Sequence, residues 1–401
     1  MSDTEKKIKK SEPKKKPVRI LVLAASVFLV IAVVQNIAVN GLPFTGGGAS
    51  EMFFSETGKG VSFDYDSAAQ FYSYNSGNYF FCTKDGMKYY SSGGTLRWQH
   101  AYNLTRPYMV TNGGTVAVGD ETKAKHIYVF GPNGFIYDRS FDEPVLFFSV
   151  NEAGYLSVVR QIDRGYDVQI HSGRGIEPFR RYFYDANIYP YMAAASEDGR
   201  YAAIVYLDLQ SHFVTRIDFH MKRESDSWGT HDGLFGGERF DNQLITCVRF
   251  MSGNKVLIFT DTQIICFTPG DGHTLERSWD VQLHNKIDKL DFYGHSRFAY
   301  VTGDKFLNDD DADEPGTVKI FNMDGSMTGS FAVGRRCTSL SMGLDSVIAG
   351  ADRSYYAFNA RGNFLWEYNA TQDTNMLIFL ENTDTVLLSA GNGAVVLKRT
   401  K

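Results

Sequence analysis

From about residue 60 onward, apolar and polar positions recur as two aliphatic runs joined by a turn of Gly, Asn or Asp. The pattern is clearest in YMVTNGGTVAVGD (108–120), LFFSVNEAGYLSVVR (146–160), YMAAASEDGRYAAIVY (191–206) and CVRFMSGNKVLIFTD (247–261). Further copies read KLDFYGHSRFAYVTGD (289–304), SLSMGLDSVIAGAD (339–352) and LIFLENTDTVLLSAG (377–391). A third strand and a more aromatic, charged fourth follow in HIYVFGPNGFIYDRSF (126–141), TVKIFNMDGSMTGSF (317–331) and SYYAFNARGNFLWEY (354–368). Short runs of this kind between turn residues predict strands. Four strands per unit, repeating every ~40–50 residues, predict an all-β propeller. First strands are expected near residues 68, 106, 145, 189, 244, 286, 336 and 375, which gives eight blades, with seven as the alternative. The last unit has only three strands of its own (377–383, 385–390, 393–399). Gly60–Tyr65 (GVSFDY) is therefore expected to complete it, since an open sheet edge must be paired or protected.

Ahead of the repeats lies a different pattern. Ile20–Val39 (ILVLAASVFLVIAVVQNIAV) is an uncharged run of 20 residues, long enough to cross ~30 Å of hydrocarbon as a helix. Residues 1–19 hold eight Lys or Arg against three acids, whereas Asn40–Gly58 hold only Glu51 and Glu56 as acids. The positive-inside rule predicts a cytoplasmic tail (1–19), a transmembrane signal anchor (20–39), a Gly/Pro linker (40–59) and an extracellular propeller (60–401). A cleaved signal peptide usually has a shorter apolar core and a small-x-small site, and Ala38-Val39-Asn40 is a poor one. Leu42-Pro43-Phe44-Thr45-Gly46 matches the LPxTG sorting pattern. It stands after the apolar span and before the repeats, so it reads as linker.

Composition narrows the function classes. The chain carries 30 Phe, 23 Tyr and 38 Gly, which suits strands and tight turns. Beyond residue 19 the acids outnumber the bases by ten, and an acidic body is unsuited to neutralising nucleic-acid phosphates.

The ending Asn359-Ala360-Arg361-Gly362-Asn363-Phe364-Leu365-Trp366, with the partial copy Gly94-Thr95-Leu96-Arg97-Trp98, resembles the NxxGxxxW ending of quinoprotein-like propellers. The basic tail, single span and divergent propeller together resemble an uncharacterised Gram-positive family, domain of unknown function 5711. The likeness covers most of residues 60–401 and rests on structural motifs. It lacks the regular Trp docking series, with four Trp in the chain, and the adjacent cysteine pair of some quinone enzymes, so no quinone is expected.

The chemistry-bearing residues are sparse. Cys82, Cys247, Cys266 and Cys337 each lie in an apolar run and are expected to be free thiols. There is no CxxC, HExxH, GxSxG or GxxxxGK[ST], and nine histidines are scattered. The acidic stretch Asn308–Glu314 places Asp309, Asp311 and Asp313 in alternation, like the start of a calcium loop, although the turn glycine and closing glutamate are missing. Its candidate cofactor is calcium, against a plain solvated loop. A second insertion, 221–243, is rich in Gly and charge and carries Trp228 and Phe235 as candidate partner-binding aromatics. The expected function is a non-enzymatic, membrane-anchored platform for an envelope protein partner. The alternative is a carbohydrate-binding module or hydrolase at the central funnel, which converging His, Asp and Glu there would favour.

Overall fold

The computed structural model describes residues 54–399, apart from 64–67, 75–76, 177–178, 211, 223–232, 270–273, 308 and 381–383. The expected anchor at 20–39 lies outside these residues. Among those described, no helix is long and apolar enough to cross a membrane.

Strands are numbered β1–β31 in chain order. Among the described residues, seven antiparallel sheets form, six of four strands and one of seven. The larger sheet arises because β9 (Gly134–Val150) is continuous through a junction. Its first part pairs with β8 (Ala124–Gly131) and its second, from Val145, with β10 (Leu156–Ile162). Strand β9 thus ends one four-stranded unit and begins the next. The first strands start at Gln70, Pro107, Ile188, Ile245, Asn285, Ser339 and Thr374, with the Val145 pairing in β9 as the remaining one. Each lies within three residues of its expected position.

The second strands explain why the repeats are legible. In Thr115–Asp120, Val256–Thr260, Ser346–Ala351 and Thr385–Ala390 nearly every residue is buried. These strands are covered on both faces by neighbouring sheets, so they read as unbroken apolar runs. Fourth strands such as Leu96–Ala101 and Leu275–Gln282 are largely exposed and accommodate charge.

Closure follows the expected route, with an earlier start. Strand β1 (Phe54–Ser62) pairs antiparallel with β31 (Gly393–Arg399), placing Gly60 opposite Val395 and Val61 opposite Ala394. Pairing therefore begins inside the stretch read as linker, and residues 64–65 lie outside the described set. Among the described residues, eight apolar clusters form, each joining consecutive units. One of them joins the last unit (Val61, Leu387, Val396) to the first (Phe71, Tyr79, Phe81), so the series returns to its start.

Tryptophans stitch adjacent units. Trp98 Nε1 donates to Pro132 O at 2.9 Å, and Trp279 Nε1 donates to Met323 O at 3.2 Å, each in the next unit's third-to-fourth turn. Gly325 in the second of these turns has φ +85°, and a Cβ there would lie 2.7 Å from the Trp279 ring. Both the backbone and the packing require glycine. Trp366 is fully buried between two units. Tryptophan docking, absent from the sequence as a regular series, thus operates at individual joints.

Candidate functional site at the central mouth

First strands line the middle of the ring. Residues such as Val110, Phe147, Ser149, Met192 and Val248 surround a cavity of about 190 Å³. A charged side chain is part of its lining. Arg249, on β17 (Ile245–Phe250), donates from Nη2 to Asn112 Oδ1 at 2.7 Å. Asn112 ends β6 (Pro107–Asn112), 137 residues away in sequence. The guanidinium centre also lies 4.4 Å from the Phe292 ring, a cation–π geometry. Burial lowers the Arg249 pKa from its ordinary value. Asp291 accepts N–H bonds from Phe292 at 2.9 Å and Met342 at 2.8 Å. Even so, burial pushes its carboxyl up to about 6. Tyr72 donates to Gly113 O at 2.8 Å, and burial holds its hydroxyl far above the ordinary phenol range.

First-to-second-strand turns of three units converge. They carry Glu152, Glu197 and His295. His295 Nε2 lies 2.9 Å from Glu152 Oε2 and also contacts Glu197 Oε1. Sequence reasoning left His295 among the scattered histidines. A faint signal existed, because Asn-Glu-Ala-Gly (151–154) and Ser-Glu-Asp-Gly (196–199) put Glu at the same place in two repeats. All four cysteines are free, and burial pushes Cys247, the one bordering the cavity, up to about 11, which disfavours the nucleophilic thiolate.

A second recess lies on the outside, where Arg139, Arg160, His171 and Arg180 border a cavity of about 420 Å³. Fully buried Asp167 accepts Arg160 at 3.0 and 2.6 Å and Gln169 at 2.7 Å. His171 is brought down to about 4, first by burial and then by the three arginines. Nearby, β12 (Phe179–Phe183) is the outer edge of its sheet, and alternation turns Arg180, Tyr182 and Tyr184 outward. Arg180 Nη1 donates to Tyr182 Oη at 3.0 Å, and the Tyr182 and Tyr184 rings stack at 5.7 Å.

The sequence-derived candidates are distributed as follows. The acidic stretch connects a second strand, β22 (Arg297–Lys305), to a third, β23 (Thr317–Asn322). Asp309 faces His284 Nδ1 at 3.0 and 3.2 Å, and Asp311 N–H donates to Asp309 Oδ1 at 3.1 Å. Asp313 turns away to Lys319 Nζ at 2.5 Å, and its N–H donates to Asn285. The group that could hold a cation is thus His284, Asp309 and Asp311, with Asp313 apart. The other insertion connects β15 (Val214–Met221) to the fourth strand β16 (Leu234–Asp241). In a four-stranded meander these two connections leave from opposite ends of the strands, Lys305 and Thr317 at one end, Met221 and Leu234 at the other. Trp228 lies outside the described residues. Phe235 packs on Tyr201 and Phe219, at 5.7 and 6.4 Å.

Comparisons with known proteins fit this geometry. The crystal structure of the C-terminal WD40 domain of Sif2 is similar at a TM-score of 0.53 and 9% identity, covering 88% of this chain and 99% of that one. The computationally designed Ika8 protein gives 0.51 and 14%, covering 85% and 99%. BamB from Moraxella catarrhalis gives 0.49 and 12%, covering 86% and 100%. At these identities the first two establish the fold, a β-propeller, and nothing about activity. No curated protein matches significantly. Residues 55–397 match one family of unknown function, DUF5711.

Proposed function

Since the chain belongs to the DUF5711 family, of unknown function, we propose that it is an eight-bladed, membrane-anchored extracytoplasmic propeller serving as a protein-interaction platform at the cell envelope. Eight apolar clusters, each joining consecutive units, support the blade number. The uncharged run at 20–39 behind a basic tail supports the anchor.

The observation that carries the platform reading is the ridge on β12. Tyr182 and Tyr184 are 44% and 65% exposed and stacked, with Arg180 bonded beside them. Tyr and Arg are the residue types that dominate interface hot spots, and a sheet edge adds unpaired backbone for a partner strand. The insertion bearing Trp228 is proposed as a further contact, with Phe235 packed on the core beside it. At the acidic stretch, calcium is the proposed cation, held by Asp309 and Asp311. Crosslinking in intact cells, followed by purification of the chain, tests the platform. Tyr182→Ala with Tyr184→Ala should deplete a specific partner about tenfold, the effect of losing ~1.4 kcal/mol at an anchor. An unchanged set of crosslinked proteins would reject the ridge as the contact.

The alternative, a hydrolase or glycan-binding site at the funnel, is favoured by the convergence of Glu152, Glu197 and His295. Release of product from envelope glycans, lost in Glu197→Gln, would decide for it.

A further inference from the structure

We propose that Glu152, Glu197 and His295 form a binding site for one first-row divalent metal ion, such as zinc, manganese or cobalt, at the central mouth. The three come from turns of three different units, between β9 and β10, between β13 (Ile188–Ala195) and β14 (Tyr201–Asp208), and between β21 (Asn285–Tyr293) and β22. One ligand atom from each lies within 4.8 Å of the others. Metal–ligand bonds of ~2.0–2.2 Å set neighbouring ligand atoms ~3 Å apart at right angles, and His295 Nε2 stands 2.9 Å from Glu152 Oε2.

Two further observations point to a cation. The His295 side chain is only 10% exposed, with Nε2 aimed at both carboxylates. An imidazole carries at most one positive charge against the two carboxylates, whereas a dication offsets both. Among the described residues, neither Glu152 nor Glu197 has a lysine or arginine ion-pair partner to supply the remainder. An imidazole with two carboxylates selects a first-row transition ion over calcium or magnesium, which take oxygen ligands. Three protein ligands leave positions open for water or for a donor from a bound molecule.

The site is independent of the platform reading, because it uses neither the β12 ridge nor the insertions. The test uses the full chain without a histidine tag, stripped by a chelator and titrated with Co²⁺, whose visible d–d absorption reports N/O coordination. One equivalent should bind, compete with Zn²⁺ and raise the melting temperature in proportion to log concentration. Glu152→Gln keeps the side chain's size and should weaken binding at least about tenfold. His295→Gln should abolish the absorption. His284→Gln, at the separate rim group, should leave it intact. Absence of Co²⁺ absorption in the parent overturns the proposal. So does a folded Glu152→Gln chain of parental affinity, or a signal that His284→Gln removes and His295→Gln does not.

Discussion

Two groups shifted mainly by desolvation give the fold opposing responses to acid, and single substitutions should separate them. Asp291 is raised from the ordinary 3.8 to about 6, chiefly because burial disfavours its charge. Between those values the native state holds a proton that the unfolded chain has released, so stability falls as pH rises. At ~1.4 kcal/mol per pH unit, ionised Asp291 costs at most about 3 kcal/mol above pH 6. His171 is lowered from 6.5 to about 4, by burial and then by Arg139, Arg180 and Arg160. Here the unfolded chain binds the extra proton, so stability rises with pH across that window, again by about 3 kcal/mol. The two slopes nearly cancel from pH 4 to 6. Asp291→Asn should therefore gain on the parent as pH rises, reaching up to ~3 kcal/mol above pH 6 and little near pH 4. His171→Gln should do the reverse, gaining as pH falls from 6.5 to 4. Urea unfolding followed by tryptophan fluorescence at several pH values reads both differences. A gap between Asp291→Asn and parent that does not change with pH would refute the assignment, as would a gap of opposite slope.

Closure by β1 predicts that a chain lacking residues 1–66 melts well below one lacking 1–50, since the first exposes the β31 edge and removes Val61 from the closing cluster; equal melting temperatures would contradict it. Trp366→Ala should cost about 3–5 kcal/mol, the range for emptying a fully buried aromatic site, and calorimetry or denaturant midpoints will show it. For topology, protease added to intact protoplasts should remove a C-terminal tag and spare an N-terminal one; the opposite pattern would reject the extracellular placement.

The repeated strands, their order and nearly all their starting points were set by the sequence itself, because sandwiching each second strand between sheets writes an unbroken apolar run into every unit. Turn residues with positive φ, such as Gly325, punctuate the same pattern locally. Even the spare strand was legible, though its start was not, because Phe54–Lys59 lacks the alternation that marks a strand. Polar convergence is another matter. Asp309, Asp311 and Asp313 look equivalent along the chain, yet Lys319 draws Asp313 away while His284 joins Asp309 from a distant turn. Arg249 meets Asn112, and His295 meets Glu152 and Glu197, only because the ring brings remote units to one axis. A burial pattern is periodic and local, so each segment carries its own share of it. The charge on Asp291 or the partner of His295 is fixed by atoms contributed from other units, and those meet only when the ring closes.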